Sequence, residues 1–92
     1  MPRMRRVRYV NRERDIDINL GYLPPDDLNF YYTALRYFHQ NVDSSTFSDF
    51  AFGPRSPVSR FGTSFRHDSL YMVLRDMWYQ LSKQQAVKKN GR

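Results

Sequence analysis

Near its start the chain has two short segments in which apolar and polar residues alternate, the pattern of half-buried β-strands. In residues 15–20 the apolar residues fall on every second position, and residues 6–10 repeat the pattern less regularly. A turn over residues 11–14 would join them into an antiparallel hairpin. That pairing would set Arg6 and Arg8 near Asp15 and Asp17 on the solvent face, an attractive cross-strand arrangement.

After a break at residues 21–25, the spacing of apolar residues changes to that of a helix. We predict that this first helix starts at Pro25 or Asp26, because proline and acidic residues suit a helix N-terminus. Its apolar positions form two stripes, more than one neighbouring helix would cover. The first stripe is Leu28, Tyr31, Tyr32, Leu35, Phe38 and Val42, and the second is Phe30, Ala34 and Tyr37.

Residues 43–67 are rich in Ser, Thr, Gly and Pro. A short helix is expected from Ser45 to Phe52, with Phe47 directed inward and Gly53 as its stop. Residues 53–67 are expected to form a loop.

The last part of the chain has the clearest helical periodicity. We predict a second main helix capped by Asp68 or Ser69, fraying over residues 84–89 and followed by a flexible tail at residues 90–92. The apolar stripe of this helix is Leu70, Val73, Leu74, Met77, Trp78 and Leu81, and its opposite face is Arg75, Asp76, Gln80 and Lys83.

The 92 residues therefore predict one small α+β domain with an N-terminal β-hairpin and two main amphipathic helices joined by a long Phe/Ser/Pro loop. Residues 15–89 would form the domain, and residues 1–14 would be either a basic arm or the first strand. A chain of this length buries only roughly 60–65% of its unfolded surface. We therefore expect dimerisation or docking to complete the fold.

Composition adds a strong basic character. The chain has 15 Lys and Arg, 9 Asp and Glu and a net charge of +6, and arginine outnumbers lysine 12 to 3. Charge is segregated into residues 1–14 (net +5), residues 15–49 (net −5) and residues 50–92 (net +6). Opposite blocks of this kind are expected to meet in the fold or in an oligomer.

The absence of cysteine excludes disulfides, thiolate zinc sites and a cysteine nucleophile. The sequence has no apolar run long enough to span a membrane and no secretory signal, so we expect an intracellular, cytoplasmic or nuclear protein.

Two basic segments are candidates for nucleic-acid binding. The N-terminal arginines could neutralise phosphates, and the arginines and phenylalanines of the later loop could combine charge with base stacking. The alternatives are a solvated strand face paired with the acidic block, and a loop anchored to the core by its phenylalanines. The candidate residues are Arg3, Arg5, Arg6, Arg8, Arg12, Arg14, Arg55, Arg60, Phe61, Phe65 and Arg66.

Aromatic residues make up 16% of the chain and are concentrated on the first helix. They fit either a buried core helix or a contact surface, because Tyr, Trp and Arg are enriched in interfaces. The candidate interface residues are Tyr31, Tyr32, Tyr37, Phe38 and Trp78.

Catalysis is not expected. Zinc-protease, dinucleotide-binding, phosphate-loop and serine-hydrolase motifs are missing, and the two histidines, His39 and His67, have no ligand spacing between them. We predict no catalytic residue, no metal and no cofactor. The composition is similar to that of small viral accessory or virion proteins, which identifies no particular family.

We therefore predict a small basic non-enzymatic protein that binds DNA or RNA through its arginines. The alternative is a protein-interaction subunit that uses the aromatic face of the first helix. The expected partners are nucleic acid, an acidic protein or a second copy of the chain.

Overall fold

A computed structural model of the chain describes residues 6–60 and 65–91, and the side chains of residues 6–58 and 69–86. It confirms a small α+β domain in which a two-stranded hairpin precedes the helices. The elements are β1 (Arg6–Asn11), β2 (Ile16–Tyr22), α1 (Pro25–His39), α2 (Ser44–Phe52), α3 (Pro57–Arg60) and α4 (Phe65–Gly91).

The hairpin forms as predicted, and so residues 6–11 are the first strand and not a separate arm. β1 and β2 pair antiparallel, with Tyr9 opposite Ile18. The register shifts by one residue between Val7 and Arg8. Gly21 lies at this bulge with φ +70, a conformation that glycine adopts without steric cost, and β2 continues through it to Tyr22. The expectation that the strand would break at Gly21 is wrong.

The hairpin turn closes without a glycine. Asp15 takes the left-handed conformation there with φ 55, which aspartate tolerates better than most residues. The side-chain oxygen of Asn11 accepts hydrogen bonds from the backbone N–H groups of Glu13 (3.1 Å) and Arg14 (3.4 Å). The side chain of Asn11 thus holds the turn that places Arg14 beside α4.

Helix α1 begins at Pro25, as predicted, but it ends before Val42. Asn41 has φ 57, and the N–H groups of Asn41 and Val42 donate to the carbonyls of Phe38 (3.1 Å) and Tyr37 (3.2 Å). This is the left-handed turn with which many helices stop. Val42 therefore follows the helix and does not extend its apolar stripe.

Helix α2 covers the second stripe of α1. Its N-terminus is capped by Asp43, which accepts from the N–H of Ser45 at 3.1 Å, and Phe47 is fully buried. The ring of Phe50 lies 4.8 Å from the rings of both Phe30 and Tyr37. The second stripe is therefore satisfied within one chain, and it gives no reason for a partner at α1.

The expected loop over residues 53–67 is wrong in two places. A short helical turn, α3, starts at Pro57, and α4 starts at Phe65, before the predicted caps Asp68 and Ser69. Helix α4 also continues to Gly91, although a flexible tail was expected over residues 90–92.

Helix α4 is the central element, because the hairpin, α1, α2 and α3 all contact it. Its most deeply buried residues confirm most of the predicted stripe: Leu70, Val73, Leu74, Met77 and Leu81 are all 0% exposed. Trp78 is the exception at 39% exposed, while Asp76 and Gln80 are buried at 4% and 9%. The prediction was wrong for these three residues because the hairpin packs on the side of α4 that was expected to face solvent.

Candidate functional site

A group of large side chains on α4 faces solvent in spite of its apolar character. Met72 is 56% exposed, Tyr79 43%, Tyr71 42% and Trp78 39%. Together with Arg75 they lie at positions i, i+1, i+4, i+7 and i+8 of the helix, which places them on one side of it. We call these five residues the α4 aromatic surface. A contiguous exposed apolar patch of this kind is typical of contact sites, whereas isolated exposed residues are ordinary.

Two arginines lie over aromatic rings of the α4 aromatic surface. The guanidinium of Arg14 is 4.1 Å from the ring centroid of Tyr79, and that of Arg75 is 5.8 Å from the ring centroid of Tyr71. Cations in these positions are attracted by the ring electrons. The surface therefore combines apolar area with positive charge.

The hairpin supplies one wall of a cavity beside this surface. Ile16 and Arg14 face Met72, Trp78 and Tyr79 across a space of about 220 Å³. Such a space accommodates a single large side chain from a partner. Since Ile16 and Arg14 belong to the hairpin, the cavity depends on how the hairpin docks on α4.

A buried carboxylate fixes that docking. Asp76 on α4 is 4% exposed and accepts hydrogen bonds from the hydroxyl of Tyr9 (2.5 Å), from Nδ2 of Asn11 (2.8 Å) and from Nη1 of Arg14. All three donors come from β1 and the turn. Buried carboxylates persist where they are paired in this way, so the cluster joins hairpin and helix in one geometry.

The environment of Tyr9 keeps it in the donor form. Burial raises the pKa of the Tyr9 hydroxyl, and the hydrogen bond and charge of Asp76 raise it further. A phenolate beside the Asp76 carboxylate would be repelled, so the hydroxyl remains protonated and donates.

Arg8 and Asp17 form an exposed ion pair on the solvent face of the hairpin, with contacts of 2.8 Å and 2.5 Å. This confirms the predicted attraction between the two strands at that position. The hydrogen bond from Arg8 holds the pKa of Asp17 below its ordinary value. Arg6, in contrast, lies opposite Tyr22 and not opposite an acidic residue.

The net charge of the protein is distributed unevenly. Residues 6–58 and 69–86 contain eight arginines and lysines and eight aspartates and glutamates, so this part of the chain is neutral overall. The whole excess of +6 belongs to residues 1–5, 59–68 and 87–92. The described residues therefore add nothing to the net positive charge, although exposed arginines such as Arg6 and Arg12 still carry local positive charge.

The hairpin places some of the predicted nucleic-acid residues near one another: Arg6 and Arg8 line one concavity, and Arg8 and Arg12 line another. Arg6, Arg12 and Arg55 are exposed, whereas the charges of Arg8 and Arg14 are engaged by Asp17 and Asp76. The remaining candidates lie outside the side chains that the structure describes: Arg3, Arg5, Arg60, Phe61, Phe65 and Arg66.

The predicted interface residues separate into three environments. Tyr31 is 4% exposed and belongs to the core. Tyr37 and Phe38 are half-buried, Tyr37 against α2. Tyr32 and Trp78 are exposed, but Tyr32 is on α1 and Trp78 is on α4. The aromatic residues of α1 therefore serve mainly to build the domain.

Sequence reasoning missed Tyr71, Met72, Arg75 and Tyr79 as site residues. A signal was present, since Tyr71 and Tyr79 are aromatic residues that fall outside the predicted core stripe of this helix. Two large aromatic residues outside the core stripe of a helix are covered either by another element of the same chain or by a binding partner.

No family of known proteins, no curated protein and no solved structure matches the chain. Among the described residues no group of three His, Asp or Glu side chains is placed to hold a metal ion. Over the same part of the chain, no helix has the length and apolar character needed to cross a membrane.

Proposed function

We propose that this protein acts by binding and not by catalysis, and that it docks onto a protein partner through the α4 aromatic surface. The partner presents an apolar side chain flanked by carboxylates. The observation that carries the proposal is the exposure of Met72, Trp78 and Tyr79 side by side on one face of α4.

The chemistry of the partner is inferred from what the surface lacks. The cavity between the hairpin and α4 is lined by apolar atoms of Ile16, Met72 and Trp78, which suit an apolar side chain. Arg75 is exposed, and among the described residues no carboxylate forms an ion pair with it. An acidic residue of the partner would supply that charge and set the orientation of the complex.

A protein fits this surface better than stacked nucleotide bases do. Base stacking needs free ring faces, but Arg14 covers a face of Tyr79. Phe52 contacts the ring of Tyr71 in an edge-on arrangement at 5.5 Å. Met72, the most exposed residue of the group, is typical of protein interfaces and does not stack on bases.

A second copy of the same surface fits less well than an acidic partner. Twofold pairing would bring the Arg75 side chains of both copies into one interface, and like charges in an interface are destabilising. The predicted homodimer stays a prediction. One of the two reasons for it, an uncovered stripe on α1, is removed by α2, whereas the other, the small surface that a chain of this length buries, still stands.

The proposal is tested by comparing two tyrosines that are each 43% exposed, Tyr79 on α4 and Tyr32 on α1. Proteins captured from the source cells by wild-type protein and by the Tyr79→Ala and Tyr32→Ala variants are quantified, and the best candidate is purified. Its affinity for all three proteins is then measured by calorimetry. We expect Tyr79→Ala to weaken binding at least about tenfold, as at an interface hot spot, and Tyr32→Ala to leave it unchanged. Equal effects, or an effect of Tyr32 alone, would contradict the proposal.

Nucleic-acid binding remains a second candidate function, favoured by the location of the charge excess. If the protein binds DNA or RNA, residues 1–5, 59–68 and 87–92 carry the attraction, because the rest of the chain is neutral. A truncation that removed residues 1–14 would delete β1, so substitutions are needed. Two double variants that lose equal charge, Arg3→Gln with Arg5→Gln and Arg6→Gln with Arg12→Gln, make a matched pair.

Fluorescence anisotropy with labelled single- and double-stranded DNA and RNA, repeated at increasing salt, tests this candidate. We expect the first double variant to weaken binding more than the second and to reduce the salt dependence by about two counterions. Absence of binding by the wild-type protein at low salt would exclude this second function.

A further inference from the structure

A second concave site lies on another side of the hairpin, away from the α4 aromatic surface. It is a groove of about 480 Å³ between β1, the C-terminal half of α1 and α4. Residues 8–13 form one wall, Tyr31 and Phe38 are among the residues of the opposite wall, and Gln80 and Gln84 of α4 complete the lining.

The groove runs along the outer edge of β1. Successive side chains of a strand point to opposite faces, and here buried Tyr9 and exposed Arg8 and Val10 all line the same space. A space that is lined by side chains from both faces of β1 lies at the edge of the strand. The other edge of β1 is taken by β2, and among the described residues no further strand pairs with it. The outward peptide groups of β1 are therefore available to a third strand.

Gln80 marks the groove as a place for a polar ligand. Its side chain is 9% exposed and lines the groove, yet no described residue hydrogen-bonds it. A buried amide without partners is unfavourable, because it has lost its hydrogen bonds to water. Asp76, one turn earlier on the same side of α4, receives three donors from the hairpin. The absence of such partners at Gln80 leaves a donor and an acceptor for a bound molecule.

The charged groups along the groove favour an acidic ligand. Arg8 and Arg12 line it together with a single carboxylate, Glu13. Arg8 is engaged by Asp17, but no described carboxylate forms an ion pair with Arg12. A carboxylate in the ligand would therefore be attracted to the rim of the groove.

We propose that this groove binds an extended peptide with at least one acidic side chain, which pairs with the outer edge of β1 as a third strand. The Gln80 amide hydrogen-bonds the peptide backbone. This mode of recognition takes its affinity from main-chain hydrogen bonds. It is independent of the α4 aromatic surface, so either proposal can fail without the other.

The experiment selects linear peptides of about a dozen residues from a phage-displayed library on the full-length protein, and the most enriched peptide is synthesised. Its binding is followed by the amide NMR signals of the protein and by calorimetry. We expect enrichment of Asp or Glu, shifts of the backbone amides of residues 8–12, and a shift of the Gln80 side-chain amide.

Two controls separate strand pairing from other binding. In the peptide, N-methylation of every second residue removes the donors on one edge, and the two alternate patterns differ only in which edge is blocked. Strand addition predicts that one pattern abolishes binding and the other preserves it. In the protein, Gln80→Ala should weaken binding about tenfold, while Asn29→Ala, the same kind of amide loss at an exposed position on α1, should not.

Each of four results would overturn the proposal. The first is that no peptide is enriched. The second is that the enriched peptide shifts only Trp78 and its neighbours on α4. The third is equal binding of both N-methylated forms. The fourth is a dimer that perturbs the same β1 amides without peptide, which would identify a second copy as the occupant.

Discussion

Replacing Asp76 with asparagine removes one negative charge from the junction of hairpin and α4 at nearly constant volume. The carboxylate accepts from Tyr9, Asn11 and Arg14. An asparagine has a single acceptor oxygen, and its NH₂ group would face a donor, so at least one of the three donors loses its partner. The variant is therefore expected to weaken the attachment of the whole hairpin.

The size of the effect follows from the burial of the cluster. Hydrogen bonds to a charged group contribute about 1.5–3 kcal/mol each, and breaking a buried ion pair costs about 3–5 kcal/mol. The Arg14 side chain is 37% exposed, so its contribution is reduced by solvent screening. We expect the free energy of unfolding to fall by about 3 kcal/mol for Asp76→Asn, out of the roughly 5–14 kcal/mol that a domain of this length possesses.

Urea denaturation followed by circular dichroism measures this change, and the matched control is Asp17→Asn. That substitution is chemically identical, but Asp17 pairs with Arg8 in solvent, where the side chains are 51% and 64% exposed. We expect the control to lose much less stability than Asp76→Asn, because exposed ion pairs contribute little. A loss below about 1 kcal/mol for Asp76→Asn, or equal losses for both variants, would refute the role given to the buried cluster.

Three further outcomes are expected. Phe50→Ala removes the ring that packs against two aromatic residues of α1 and should lower the free energy of unfolding by about 2–4 kcal/mol in urea denaturation. Burial, with a smaller contribution from Tyr32, raises the pKa of Tyr31 to about 12. Since an unfolded tyrosine ionises near pH 10, stability should fall between about pH 10 and 12, and less steeply in Tyr31→Phe. In an NMR titration, Arg8→Gln should return the lowered pKa of Asp17 toward its ordinary value. The Arg8–Asp17 pair contributes its full stabilisation above the ordinary pKa of an aspartate. That stabilisation is lost as the pH falls through the lowered pKa of Asp17.

The elements with strong local signals were predictable from the sequence. Alternation located both strands, and Pro25 marked the start of α1 because proline suits the first helical turn. The stop of α1 at Asn41 was not visible, because a left-handed asparagine can be recognised only once the backbone is known. The start of α4 at Phe65 was also missed, because Asp68 and Ser69 are typical capping residues and predicted a later start.

The site was less predictable, because exposure depends on which elements pack together. The helical period places Trp78 in the core stripe and Asp76 on the opposite face. The docking of the hairpin on α4 buries Asp76 and leaves Trp78 exposed, the reverse of what the period predicts. Periodicity within one helix carries no information about that docking. In the same way, counting arginines along the chain does not show that Arg14 is engaged by a buried carboxylate.

The most direct test of the α4 aromatic surface uses its own tryptophan. Trp78 is the only tryptophan of the chain and is 39% exposed, so intrinsic fluorescence reports on this surface without a label. Acrylamide quenching is measured on the free protein from micromolar to near-millimolar concentration, and again with the purified partner or with oligonucleotide. We expect Trp78 to be quenched at every concentration of the free protein, protected by the partner and unaffected by oligonucleotide. Protection that develops with protein concentration alone, or quenching that is unchanged in the partner complex, would contradict docking of a protein partner on α4.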